Sequence, residues 1–466
     1  MRHVLLIDFG STYTKLTAAD LDTPKILGSA QAFTTADEDI STGLNKALLI
    51  LERSCGKLSF QAKLACSSAA GGLKMVVCGL VPALTSKAAK LAAFGAGAKV
   101  MKTFAYQLTD EDIREIRMIE PDILLLTGGT DGGNSDIILS NAAALSRDGG
   151  SFPVIIAGNR SAQQDCVQVL EKSGHPVFCA PNVMPEINKL NVGPVQAIIR
   201  EIFLSRIIRA KGLSRTSELL DGILMPTPSS VLEALTLLSE GTKHTRGLGE
   251  LIAVDLGGAT TDVYSIAKGD PSNPSVLLRG LPEPYAKRTV EGDIGMRYSA
   301  NGVIEAIGME MLVNFAARPE SLIRDIVNSY HTDPSRLPET QEELAVDRAL
   351  AIGAVSCALA RHAGTLERVY TPIGPVDQQT GKDLTRTELM LLTGGALIYA
   401  PDLRGIVNAA LSMQDPMTLT PKCVRILCDS GYILSAMGLL SNYDREAALR
   451  LMLEYFGKED AYEAVQ

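Results

Sequence analysis

The sequence predicts a duplicated α/β protein with two related lobes and an additional α/β module. Three observations carry this expectation. An Asp-x-Gly turn set between two short strands occurs at Asp8-Phe9-Gly10 and again at Asp255-Leu256-Gly257. The phrase Leu-Leu-Thr-Gly-Gly occurs at 125–129 and returns at 391–395. From about residue 84 to 190, helical and extended patterns alternate regularly, which implies βα units and a parallel sheet covered on both faces.

Composition supports a folded α/β chain. Of 466 residues, 46% are hydrophobic and 21% charged, so a substantial core can form and wholesale disorder is excluded. Aromatics are 5%, Trp is absent and Gly numbers 41, which points to an aliphatic core and Gly-rich loops. A formal net charge of -9 argues against a general nucleic-acid binder. The 8 Cys are scattered without a Cys-x-x-Cys pair, and the 5 His form no HExxH-like pattern. They read as reduced thiols of a cytoplasmic protein and make zinc chemistry a poor expectation. No apolar stretch reaches the roughly 18–20 residues of a membrane span. Asp8 and Gly10 interrupt the N-terminal apolar run before it could serve as a secretory signal.

The elements follow in order. Val4–Ile7 reads as a buried strand and Tyr13–Ala19 as its hairpin partner, with Gly10-Ser11-Thr12 as the turn. Ile26–Phe33 is a third strand, and Asp37–Leu51 a helix with Leu44, Leu48 and Leu51 on one face. In the module, Leu84–Phe94 reads as helix, Lys99–Leu108 as extended, and Asp110–Ile119 as a helix capped by Thr109. Strand and helix then alternate through Asp122–Leu126, Asp136–Leu145, Val154–Ala157, Ala162–Lys172 and Val177–Ala180. Val195–Lys211 is a long helical stretch. The opening theme then returns: strand Leu251–Val254, a Gly/Thr turn, and strand Asp262–Ile266. Met390–Leu392 is a buried strand that runs into Thr393-Gly394-Gly395 and a helix. The expected organisation is a first lobe beginning at 1–83, a module at 84–190, a helical connection at 191–248 and a second lobe at 249–466.

A pair of Asp-x-Gly hairpin turns makes physical sense as two phosphate clamps. Glycines let backbone N–H groups approach phosphate oxygens, and Ser or Thr hydroxyls add donors. A carboxylate at each strand end, Asp8 and Asp255, can hold Mg²⁺ through its waters, because Mg²⁺ dehydrates reluctantly. Lys15, on the first returning strand, can neutralise a terminal phosphate. Either turn alone is equally well a plain hairpin; two of them several hundred residues apart favour the clamp.

The stretch Ile7-Asp8-Phe9-Gly10-Ser11-Thr12-Tyr13-Thr14-Lys15 resembles the first phosphate motif of the actin, Hsp70 and sugar kinase superfamily. Asp255–Asp262 resembles the second phosphate motif, and Leu391-Leu392-Thr393-Gly394-Gly395-Ala396 the adenosine motif. Met225-Pro226-Thr227-Pro228, leading into Val231–Leu238, and the segment Tyr432–Leu440 resemble its two connecting segments. The resemblance implies a duplicated actin-like ATPase (ribonuclease H-like) two-lobe fold that binds ATP with Mg²⁺. Carried across, Asp8 and Asp255 would orient Mg²⁺ and its waters. Gly10, Ser11, Thr12 and Lys15 would hold the β- and γ-phosphates from one side, and Gly257, Gly258, Thr260 and Thr261 from the other. Asp262 would position attacking water, and Gly394 and Gly395 would pack against adenosine.

Within that superfamily the chain looks closest to the glutamate mutase (methylaspartate mutase) accessory protein family. The phrases are Leu126–Asn134, Gly280–Pro284 and Lys287–Gly295. This resemblance implies an ATP-binding, chaperone-like partner that helps an adenosylcobalamin-dependent glutamate mutase exchange damaged cobalamin for fresh coenzyme. Two departures point to a slow ATPase: Met225 stands where chaperone relatives carry a Glu, and Ala259 replaces a third Gly. The alternatives are a small-molecule kinase of the same superfold and a nucleotide-gated scaffold without hydrolysis. Thr127–Asn134 reads equally as a second ligand loop or as a tight turn before a helix. Arg288, Glu291, Asp293 and Arg297 read first as a solvated charged loop, the alternative being a place beside the nucleotide cleft because they follow the second hairpin; Met390, Met413, Met417 and Met437 read as core.

Overall fold

The computed structural model describes residues 2–10, 12–34, 40–68, 73–81, 88, 91–93, 98–147, 152–210, 223–281, 283–372 and 374–458. Most of the helix expected at Leu84–Phe94 lies outside these residues, as does Ser11. The chain forms two compact units, Met1–Glu233 with Ser435–Ala447, and Ala234–Leu434 with Ala448–Gln466.

In the first unit, β1 (His3–Phe9) is an apolar run buried from Val4 onward, as a central strand must be. It pairs antiparallel with β2 (Tyr13–Asp20), which pairs antiparallel with the edge strand β3 (Lys25–Phe33). The helix Ile40–Cys55 follows, burying Leu44, Ala47 and Leu51. β4 (Ala62–Ser67) then pairs parallel to β1 on its other side. The chain next builds β5 (Lys74–Gly79), β6 (Lys99–Ala105), β7 (Ile123–Leu126), β8 (Val154–Ile156) and β9 (Val177–Cys179). Between them run the helices Asp110–Ile119, Asp136–Ser146 and Gln163–Lys172. The helix Gly193–Ala210 leads back to β10 (Ile223–Pro226), which pairs parallel to β4.

Two separate sheets result. The first has the order β10-β4-β1-β2-β3. The second is all parallel, in the order β6-β5-β7-β8-β9, and takes in β5 ahead of residue 84. Counted within itself, that sheet has the doubly wound 2-1-3-4-5 order. Its core, from Val76 to Leu170, is drawn from the module's own residues.

The second unit repeats the first sheet. β11 (Leu251–Leu256) pairs antiparallel with β12 (Thr261–Ile266). β13 (Leu277–Arg279) lies apart, and β14 (Ala286–Glu291) pairs antiparallel with β12. The helices Ala300–Ile307, Met309–Ala316 and Glu320–Thr332 precede the 22-residue helix Gln341–His362. β15 (Thr365–Thr371) and β16 (Gly374–Thr380) form a hairpin that joins β13 in a small sheet. β17 (Leu389–Thr393) and β18 (Arg425–Cys428) complete the order β14-β12-β11-β17-β18. Three antiparallel strands followed by two parallel ones thus occur twice. This is the duplicated α/β design expected from the sequence, with the extra module lying between β4 and β10 in the chain. The long helix buries Val346, Leu350, Ala354 and Ala358 in the unit's core. Met390 and Met437 are core residues as expected, whereas Met417 is 42% exposed.

Candidate functional site

The first Asp-x-Gly turn closes on itself. Asp8 stands opposite Lys15 in the β1–β2 register, and the Gly10 N–H donates to the Tyr13 carbonyl at 3.0 Å. A side chain on Gly10 would place its Cβ 2.6 Å from that same oxygen, so the turn has room only for glycine. Thr34, just past the edge strand, holds the turn from behind. Its N–H donates to the Thr12 carbonyl at 2.8 Å and its hydroxyl to the Gly10 carbonyl at 2.9 Å. Asp8 is buried, and the Thr227 hydroxyl donates to its Oδ1 at 2.6 Å. Cys66 lies beside Asp8 on β4; burial, then the Asp8 charge, raises its thiol well above the ordinary range. Thr12 is exposed and Lys15 half-buried.

The second turn has the same frame. Asp255 stands opposite Asp262, and the Gly257 N–H donates to the Thr260 carbonyl at 3.0 Å. Here the carbonyls are all taken from one side. Gly257 O accepts from Met296 N at 3.0 Å, Gly258 O from Arg297 N at 2.8 Å, and Ala259 O from the Ser299 hydroxyl at 2.7 Å. In a planar trans peptide the following N–H points opposite the carbonyl. The amides of Gly258, Ala259 and Thr260 therefore face away from the 296–299 segment as a row of three donors, an arrangement suited to an anion. Ala259 is not among the positive-φ residues, so its methyl group is accommodated without backbone strain.

Around this turn the predicted residues divide. Gly394 has φ +92°, and a Cβ there would meet Asp255 Oδ1 at 2.8 Å and Leu256 N at 2.7 Å. Gly394 is therefore pressed against the end of β11. A Cβ on Gly395 would lie 3.4 Å from the Tyr432 hydroxyl. The Thr261 hydroxyl is fully buried and donates to the Ile294 carbonyl at 3.0 Å, a commitment within the fold. Asp262 is clasped by Arg288, whose Nε and Nη2 reach Oδ1 at 2.7 and 2.5 Å.

The charged run is not a solvated loop. Arg288 and Glu291 lie on β14, Arg288 is buried, and Arg361 bridges Glu291 (2.9 Å) and Asp293 (2.8 Å). Burial raises the Glu291 carboxyl above its usual range, although the Arg361 bond opposes the shift. Arg297 forks onto Asp347 at 3.2 and 2.9 Å and lies over the Tyr330 ring at 4.1 Å. These pairings pin the segment that turns the Gly257–Ala259 carbonyls. Thr227 and Ser299 are the residues that sequence reasoning missed, while Arg288 was singled out but read first as solvated. Thr227 sits inside the quoted connecting phrase, which was a usable signal; Ser299 carries none.

The donor set suits a hydrated divalent cation. Each turn offers one carboxylate, Asp8 or Asp255, beside donors for a polyanion. Mg²⁺ bound with phosphates needs only one or two carboxylates, its remaining positions being water. Among the described residues, no cluster of three or more His, Cys, Asp or Glu could hold a metal unaided.

The sequence matches the MutL protein family over residues 4–456. The chain belongs to that family. It is 46% identical over 458 residues to Protein MutL of Clostridium tetanomorphum, covering 97% of this chain and 99% of that relative. Two solved structures are distant likenesses of this chain. A diol dehydratase-reactivating factor in nucleotide-free form aligns over 95% of this chain and 100% of its own, at 11% identity and a TM-score of 0.36. The activator of 2-hydroxyisocaproyl-CoA dehydratase from Clostridium difficile, with bound ADPNP, aligns over 97% of each chain at 9% identity and 0.35. Among the described residues, no helix is long and apolar enough to cross a membrane.

Proposed function

We propose that this chain binds ATP with Mg²⁺ through its two Asp-x-Gly turns and serves an adenosylcobalamin-dependent glutamate (methylaspartate) mutase as an accessory, reactivating protein. The observation that carries the nucleotide half is the row of three amides at Gly258, Ala259 and Thr260, on the duplicate of a turn that opens the chain. Membership of the MutL protein family, and the phrases Leu126–Asn134, Gly280–Pro284 and Lys287–Gly295, support the accessory half.

In this reading Gly10, Ser11, Thr12 and Lys15 hold the β- and γ-phosphates from one side, and Gly257, Gly258 and Thr260 from the other. Thr261 braces the second turn from within. Asp8, oriented by Thr227, and Asp255 hold the waters of Mg²⁺, which supplies charge neutralisation on the phosphate oxygens when bound. Gly394 and Gly395 receive adenosine. Asp262, fixed by Arg288, orients water rather than moving freely. The nucleotide favours one arrangement of the two lobes, and the mutase senses that state through contacts that differ between arrangements. Hydrolysis is then chiefly positioning and electrostatics.

A second reading, a nucleotide-gated scaffold that does not hydrolyse ATP, is favoured by Met225. It is buried beside Cys66 on β10, where a carboxylate would otherwise help polarise water. Labelled ATP distinguishes the readings. Phosphate release stimulated by cobalamin-inactivated glutamate mutase supports the first; binding without release under any partner supports the second. Transfer of label to a metabolite would point to a kinase. Asp8→Ala and Asp255→Ala are each expected to abolish Mg²⁺-dependent ATP binding in calorimetry, and unchanged affinity would sink the site assignment.

A further inference from the structure

The module carries a basic cleft that the nucleotide site does not use. It lies between the helices Asp110–Ile119 and Asp136–Ser146, has a volume of about 200 Å³, and is lined by Asp110, Ile113, Arg114, Arg117, Ala144 and Arg147. Three guanidinium groups therefore share it with one carboxylate. Asp110, Arg114 and Arg117 follow one another at helical spacing along a single stripe, and Arg147 caps the C-terminal end of the facing helix. Ile113 and Ala144 add an apolar floor.

Two of its arginines, Arg114 and Arg147, are weakly neutralised from within. The Arg147–Asp110 gap is 4.0 Å between side chains that are 71% and 94% exposed, a pair worth little in water. Arg114 has no ion pair with any described residue. Met118, four residues beyond Arg114 on the same helix, is 79% exposed and widens the apolar margin. In a chain of net charge -9, such a concentration of positive charge is local.

From this juxtaposition we infer that the cleft is a docking surface for an acidic segment of a partner protein, its Asp or Glu carboxylates received by the forks of Arg114 and Arg147. Planar guanidinium forks take carboxylates two bonds at a time, which suits discrete acidic side chains seated over an apolar floor. A nucleic acid fits less well: its affinity comes from many phosphates neutralised along a basic face, and the chain's overall charge opposes that. The inference deepens the accessory reading by naming where a partner docks, and rests on it for the partner's existence.

The test uses the full chain and fluorescein-labelled hexaglutamate, followed by anisotropy, with hexalysine and a thymidine oligonucleotide as comparators. Hexaglutamate is expected to bind saturably and more weakly as salt rises. Arg114→Glu/Arg147→Glu should weaken that binding by about fivefold and flatten its salt dependence, as loss of two exposed charge pairs at a polar rim does. If the double variant melts early, the neutral pair Arg114→Gln/Arg147→Gln serves instead, with a smaller loss expected. Failure of hexaglutamate to bind, equal binding by the charge-reversed chain, or tighter binding of the oligonucleotide would each overturn the inference. Calorimetry with ATP·Mg²⁺ on the same proteins separates the two readings. Loss of peptide binding with intact nucleotide binding supports the cleft as a separate surface. Peptide binding that depends on these arginines in a chain that binds no nucleotide leaves the cleft standing and removes the nucleotide reading.

Discussion

Lys382 shows how strongly a single residue can feel its surroundings in the second unit. Its side chain is wholly buried, and its ammonium donates to the carbonyls of Ala267 and Tyr285, each at 2.7 Å. Burial, and then repulsion from Lys287, bring its pKa from 10.5 down to about 7. The folded chain thus releases this proton near neutrality, while the unfolded chain keeps it to about 10.5. Between those values the unfolded state binds more protons, so stability rises with pH; below about 7 both states are charged and the cost of burial stands in full. His362, buried between the Ser265 and Thr289 hydroxyls at 2.8 Å each, is held well below its usual 6.5 by burial and then by Lys287 and Lys382. It adds a slope of the same sign on the acid side. Urea unfolding is expected to show greater stability at about pH 9 than at about pH 7, and Lys382→Met should shrink that gain. An equal gain in the variant would remove Lys382 from the account. At this scale the sequence was a partial guide. Asp8 and Asp255 announce themselves because an Asp-x-Gly turn is a local pattern. Thr227 reaches Asp8 across 219 residues of chain, and Arg288 reaches Asp262 across 26, so neither partner could be read from spacing.

Elements were legible where their signals are local. The helix Asp110–Ile119 begins at Thr109 because the Thr109 hydroxyl accepts from Asp112 N at 3.2 Å, and the Asp112 carboxylate accepts from Thr109 N at 2.8 Å. The strand expected through Leu108 stops at Ala105, where Tyr106 takes φ +67°. The helix Gln341–His362 escaped notice for the opposite reason: buried on most of its circumference, it shows no polar face from which a period could be read. β15 and β16 are rich in polar residues and mostly exposed or half-buried, so their alternation does not stand out as a strand. The long helix has its own reciprocal cap, Thr340 Oγ1 accepting from Glu343 N at 3.2 Å and Glu343 accepting from Thr340 N at 3.0 Å. Thr340→Ala is expected to destabilise the second unit by about 1 kcal/mol, read as a lower urea midpoint with unchanged slope. No shift in midpoint would show that packing alone sets where the helix starts.

At the scale of the whole molecule, duplication was visible as two repeated phrases, and the strand orders make it a repeat of topology. The two turns are not copies in charge: Lys15 and Asp262 hold the same register position, one a cation and the other a carboxylate tied to Arg288. One scaffold thus offers two electrostatic surfaces. The extra module departs from that pattern altogether, with a parallel sheet of its own and the arginine cleft on its helices.

The self-contained core of that module has a consequence for how the protein comes apart. Residues from Val76 to Leu170 bury one another, and no strand pairing joins their sheet to β1–β4 among the described residues. Such a cluster is a candidate foldon, able to open and reclose while the strands bearing Asp8 stay protected. Native-state hydrogen exchange is expected to show the amides of β7 and β8 exchanging at a common free energy, below that of β1. A single shared value for all three strands would mean that the module cannot open without the turn at Asp8. Separate values would mean that the module can open and be cleaved while β1 stays closed, so limited proteolysis would cut there first.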